Sequence, residues 1–236
     1  MNGSSILERL RASLAASAGD VVFGMEDGTV SIFGLVFGVA ATTNDTATVL
    51  IAGASGAVAA AVAMMAGAYL EAETSRDSAQ ASAARIDSRM ERNPAEVLES
   101  VIGRIRAVGI GSDQANTLTR FLRTEPAILK GVASALDASV GPDLAQSPLA
   151  HSLWMLVADF FAAAIPIVPF ALMPVPDARL VSGIVTLLLL VGLGIGRAQI
   201  GGQNILPTVI ETVSIGIAAA VAGVVIGIAM ARIFGA

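Results

Sequence analysis

The residues able to do chemistry gather in one apolar stretch, Asp20 to Ala41, DVVFGMEDGTVSIFGLVFGVAA. Three carboxylates, Asp20, Glu26 and Asp27, lie on or just inside its first turns. Read as a helix, the stretch places Asp20 and Asp27 two turns apart on one stripe, with Glu26 about a quarter turn away. A carboxylate in hydrocarbon costs roughly 2.5–3.5 kcal/mol on insertion scales, so such groups persist mainly beside a protein interior, a cavity or an ion path. Carboxylate oxygens suit divalent first-row cations such as Fe2+ and Mn2+, and a thioether adds selectivity for iron over Mg2+ or Ca2+. The next apolar run supplies Met64 and Met65, and Glu71 follows Met64 by two turns on the same stripe. Asp20, Glu26, Asp27, Met64 and Glu71 are therefore the candidate metal ligands. Plainer roles stand beside that one. Asp20 and Glu26 would also serve as anions at a helix N-terminus, Met64 and Met65 as gap-filling packing residues, and Glu71 as a solvated residue opening a charged helix.

The elements that must position these residues follow from composition. Of 236 residues, 55% are hydrophobic and only 14% charged, against about 25% charged in soluble domains, which makes the lipid bilayer the solvent. Apolar runs at 21–42, 49–70, 152–173, 179–196 and 208–233 each reach the length of about 20 residues that a span requires. The expected fold is an all-α membrane protein. An N-terminal amphipathic segment and spans one and two occupy 1–70, a cytosolic helical subdomain 71–148, and spans three to five 149–236. Within the subdomain, Glu71–Arg92 continues span two, and Asn93-Pro94-Ala95-Glu96 reads as a capping box with Pro at the first helical position. Ser112 is expected to cap the next helix, reaching about Thr124, and Pro126 to open another ending near Gly141. Gly24, Gly28, Gly34 and Gly38 allow another helix to approach closely, so a two-fold dimer contact is expected along span one. All but two of the 14 Lys and Arg residues fall on the N-terminal side of such a topology, Arg179 and Arg232 being the exceptions. The positive-inside rule then puts the N-terminus and 71–148 in the cytoplasm, and the Ala- and Gly-rich composition suggests a bacterial inner membrane.

Much is excluded. Without cysteine there is no disulfide, zinc finger, iron–sulfur cluster or thiol nucleophile. A net charge of −5 with no basic cluster argues against nucleic acid. No HExxH, serine elbow or Walker sequence occurs, so no intramembrane enzyme and no resident cofactor are expected, and transport against a gradient would have to couple to another ion such as the proton. Asp159, about two turns into span three, is either a proton-relay carboxylate or a hydrogen-bonded packing residue. His151 and Trp154 read as interfacial anchors, and Glu211 as a residue at a helix start with Arg197 as its partner. The glycines of Gly192-Leu193-Gly194-Ile195-Gly196 lie in an apolar run without a preceding strand and read as packing glycines rather than a phosphate loop.

Three stretches, GMEDGTVSIFGLVFGVA (24–40), AVAMMAGAYLEAETSRD (61–77) and AAAIPIVPF (162–170), resemble the vacuolar iron transporter family, and the likeness covers nearly the whole chain. The resemblance implies a homodimeric, proton-coupled exporter carrying Fe2+ or Mn2+ out of the cytoplasm, with its path between the first spans of two subunits. The family's paired span-one aspartates match Asp20 and Asp27, and its span-two methionine matches Met64. Two departures stand out. The family's Gly-Glu-Tyr is here Gly67-Ala68-Tyr69, and the Glu-rich cytosolic helices of iron-loading members are here sparsely acidic. A non-transporting scaffold or metal sensor of the same fold is the alternative.

Overall fold

The computed structural model describes Glu8, Arg11, Ser13, Leu14, residues 17–137 and residues 148–235. The expected N-terminal amphipathic helix falls largely outside that set. Among the described residues the chain is helical and carries no strand. The helices are α1 (Ala18–Ala40), α2 (Thr46–Arg92), α3 (Pro94–Ala107), α4 (Ser112–Thr124), α5 (Pro126–Leu136), α6 (Pro148–Leu172), α7 (Val175–Gly201) and α8 (Ile205–Phe234). Five of them, α1, α2, α6, α7 and α8, are long and apolar enough to cross a membrane. Two compact units result, one of Met1–Tyr69 with Pro148–Ala236 and one of Leu70–Ser147.

In the first unit, α1 is the central element and small residues set its packing. Asp20 faces His151, Gly24 faces Met155 and Gly28 faces Asp159, so α1 and α6 run in the same sense with a contact at every turn. Further along, Gly34 meets Ala219 and Gly223, and Gly38 meets Gly223 and Gly227 of α8. A Cβ at Gly34 would lie 2.8 Å from the Ala219 carbonyl oxygen, and one at Gly38 2.6 Å from that of Gly223. The helix backbones touch there, as small-xxx-small pairs permit. The glycines expected to face a second copy are therefore spent within the chain, because close approach is available only where no Cβ intervenes. Helices α2 and α7 run against α1: Gly53 lies on Val36 and Gly56 on Ile32 and Leu35, while Gly196 lies near Val22 and Gly183 near Phe37. This alternation is what successive crossings of one bilayer require.

Polar groups finish the helix ends. Arg179 of α7 donates to the carbonyls of Ala40 and Thr43 and to Asn44 Oδ1, placing a cation where α1 leaves carbonyls unpaired. Pro166 and Pro169 lie inside α6, and Ser182 Oγ donates to the Pro166 carbonyl at 2.7 Å, tying α7 to the segment they interrupt.

The second unit is built by ordinary amphipathic burial. Ile86, Val97, Leu98, Val101, Ile102, Leu122 and Leu129 form its core. Asn93 caps α3, its Oδ1 accepting from Glu96 N at 3.3 Å. The reciprocal half of the expected box is absent: the Asn93 N–H donates to the Arg89 carbonyl at 2.8 Å, and the Glu96 carboxylate pairs with the Arg89 side chain at 3.1 Å. Ser112 begins α4 rather than capping it. Gly111 holds the cap position, and its N–H donates to Gln114 Oε1 at 3.2 Å. Helix α5 closes at Leu136, and Gly141 lies outside the described residues.

Candidate metal site

The expected ligands of the first unit meet different environments. Asp20 Oδ2 lies 3.2 Å from His151 Nδ1, so the histidine read as an anchor is also a carboxylate partner. Its neighbour Trp154 donates from Nε1 to Ser13 Oγ at 3.1 Å. Glu26 is mostly buried and already engaged: its Oε1 accepts from Thr212 Oγ1 at 2.6 Å and from Arg197 Nη1 at 3.5 Å. Arg197 also reaches Glu211 at 3.7 Å, the partnership expected from sequence. One guanidinium thus stands between two carboxylates of α1 and α8, and a hydroxyl of α8 completes the set. Nothing in the local sequence pairs Thr212 with Glu26. The contact exists because the parallel α1 and α8 bring one turn of each to the same level.

Asp27 is different. It is exposed, on a stripe with Phe23, Ser31 and Leu35 that recurs every fourth residue along α1. The adjacent face, about 100° round the helix, carries the buried residues Gly24, Gly28, Ile32 and Val36. A carboxylate is thus presented outward midway along a membrane-length helix, on a line it shares with Phe23, Ser31 and Leu35.

Behind it, in α6, Asp159 is fully buried, and among the described residues neither of its oxygens has a hydrogen-bond partner. Its Oδ1 lies against Gly28, the residue that follows Asp27 in α1, where a Cβ would stand 2.7 Å away. Of the two roles open to Asp159 in the sequence, the hydrogen-bonded packing residue does not describe what is found.

Met64 and Met65 are half-buried on α2. Glu71 is exposed and belongs to the second unit. Ala68, at the position of the family glutamate, is buried. Among the described residues, no three His, Cys, Asp or Glu side chains come together as a metal-holding group.

The VIT family model matches residues 18–228, from the start of α1 into the last turns of α8. The chain belongs to the VIT family. It is similar to the protein named Vacuolar iron transporter 1 of Arabidopsis thaliana, 24% identical over 204 residues that cover 86% of this chain and 82% of that one. It is also similar to the protein of the same name from Tulipa gesneriana, 25% identical over 205 residues, 86% of this chain and 83% of that one. Membership and the five apolar helices together make this VIT-family chain a multi-pass membrane protein.

Proposed function

We propose that this chain is a divalent-metal transporter carrying Fe2+ or Mn2+ out of the cytoplasm, through a path completed by a second copy and lined by span-one carboxylates and the span-two thioether. The observation that carries the reading is Asp27, outward-facing on the exposed stripe of α1. A carboxylate left against hydrocarbon is costly, and the cost is removed if a second α1 covers the stripe and a cation sits between the two Asp27 side chains. A ligand set assembled from two chains would bring together carboxylates that stand apart among the described residues of one. Asp20 guards the entrance, and Met64 adds softness that favours iron over Mg2+ or Ca2+. Glu71 attracts cations where α2 leaves the apolar run. Glu26, held by Arg197 and Thr212, serves this path as a fixed charge more readily than as a ligand exchanging its partners for a metal. Protons are the coupling ion, the N-terminus and 71–148 are cytoplasmic, and the host is a bacterial inner membrane. Both plant relatives are named as iron transporters, which agrees with the substrate class.

A second reading, a scaffold or metal sensor that does not transport, draws on Ala68, a buried methyl where the family carries a glutamate. Uptake into proteoliposomes separates the two. Fe2+, Mn2+, Co2+ and Zn2+ are offered with and without a pH gradient. Gradient-dependent accumulation of Fe2+ or Mn2+, reduced more than tenfold in rate by Asp27→Asn, supports transport; a tenfold change corresponds to about 1.4 kcal/mol. No accumulation of any of the four would leave the scaffold reading standing.

A further inference from the structure

We infer that Asp159 and Asp27 form a two-carboxylate cation site within each chain, with Asp159 supplying a ligand from α6 that is reached across Gly28. The inference rests on the transporter reading for its substrate class, a divalent first-row cation, and on independent geometry for its residues.

Three observations converge on Asp159. It is fully buried midway along a membrane-length helix, and both carboxyl oxygens are without hydrogen-bond partners among the described residues. Buried polar groups in proteins are nearly always satisfied, and an orphaned carboxyl is among the costliest exceptions. No ion pair among the described residues includes it. Arg197 is drawn to Glu26 and Glu211, His151 to Asp20, and Arg179 to the end of α1.

Its Oδ1 also points at the one place on α1 that could admit it. Gly28 has no side chain, and a methyl there would press first on the Asp159 carbonyl oxygen and also come within 2.7 Å of Oδ1. Gly28 is the immediate neighbour of Asp27 in α1. The seam between α1 and α6 thus brings the Asp159 carboxyl to the turn of α1 that carries Asp27. Gly24, one turn earlier, meets only the Met155 backbone and the Ala158 methyl.

Two like charges at one level of a helix seam repel in a medium of low dielectric, and a divalent cation between them cancels both. Carboxylate oxygens are donors that Mn2+ and Fe2+ accept. Asp27 faces outward and Asp159 inward, so a cation arriving on the exposed stripe would be drawn one step into the bundle by the second carboxylate. The pair therefore sets retention and selectivity, whereas Asp27 alone sets access.

The test uses the full chain in nanodiscs, with Mn2+ alone as probe, read by loss of the free Mn2+ electron paramagnetic resonance signal and by thermal unfolding. The wild type is expected to bind Mn2+ and to gain thermal stability from it, as any ligand selective for the folded state confers. Asp159→Asn should bind at least tenfold more weakly and lose the Mn2+-dependent rise in Tm. Its metal-free Tm should be unchanged or higher, because an orphaned buried carboxyl has been neutralised. Gly28→Ala alters no charge but must displace Asp159, and should weaken binding in the same direction.

A metal-free Tm lowered by Asp159→Asn with Mn2+ affinity intact would make Asp159 a packing residue and overturn the inference. Wild-type affinity and Tm in both variants would mean a carboxyl that holds a proton only, and would overturn it equally. A wild type that accumulates Fe2+ in proteoliposomes while Asp159→Asn retains full Mn2+ affinity sinks this site and leaves the transporter reading intact. A wild type that binds no Mn2+ sinks the site whatever the uptake assay shows.

Discussion

In the helical unit, Asp87 lies 2.6 Å from Lys130 and Glu96 lies 3.1 Å from Arg89, with every side chain about half exposed. In the span bundle, Asp159 is fully buried with neither oxygen bonded among the described residues, Asp27 faces outward from an apolar helix, and Glu26 is clasped by Arg197 and Thr212. The same chemical group is cheap in one place and expensive in the other. Exposed ion pairs are worth about 0–1 kcal/mol and their loss would pass almost unnoticed. A carboxylate held in a span must earn its place through a partner, a proton or a cargo. Packing divides along the same line. The helical unit buries leucine, isoleucine and valine side chains, while the span bundle brings backbones into contact at glycine, since lipid offers no hydrophobic drive between helices.

That contrast can be broken most severely at the glycine seam. A side chain at Gly223 would meet the Gly34 carbonyl carbon at 2.8 Å, with backbone rather than a yielding side chain in the way. Gly223→Leu should therefore separate α1 from α8, and no monodisperse folded protein should be recovered by size-exclusion chromatography in detergent. Wild-type recovery would mean the seam is not what holds the bundle. A leucine core is more forgiving. Leu122 is almost fully buried, and Leu122→Ala should cost the helical unit about 2–5 kcal/mol. Hydrogen exchange on the full chain should show protection lost across α3 to α5 and kept in α1, α6 and α8.

The smallest effect sharpens the contrast at an exposed carboxylate. Asp45 opens α2, and hydrogen bonds from the Thr48 hydroxyl and backbone, and from the Ala47 backbone, hold its carboxyl below the usual range. A depressed folded pKa stabilises the helix start above the unfolded value, and that contribution is lost as pH falls through the folded one. Acidification below about pH 4, the ordinary aspartate range, should thus fray the first turn of α2. Thr48→Val should move the Asp45 titration upward, as nuclear magnetic resonance would report. An unmoved titration would show that the hydroxyl plays no part.

Some of this was legible from residue types alone. The five membrane-length helices were marked by apolar runs matched to the thickness of a bilayer, and the start of α3 by Asn93-Pro94. Turn-level detail was not, because Gly111 with Gln114 could close the start of α4 as well as Ser112 could, and the Asn93 N–H went to the Arg89 carbonyl while Glu96 paired with the Arg89 side chain. The acidic residues of the spans were visible as anomalies, but their partners were not.

The sequence by itself determined the solvent and the number of membrane-length helices, because hydropathy and helix rise are properties of residues taken singly or in short runs. Only the tertiary structure decided that the glycines of α1 face α6 and α8, that Thr212 holds Glu26, and that Asp159, beside Gly28, is left without a partner among the described residues. Those outcomes turn on the rotation of each helix about its own axis. In spans apolar on every side the residue pattern leaves that rotation open, and contacts between residues more than a hundred positions apart settle it.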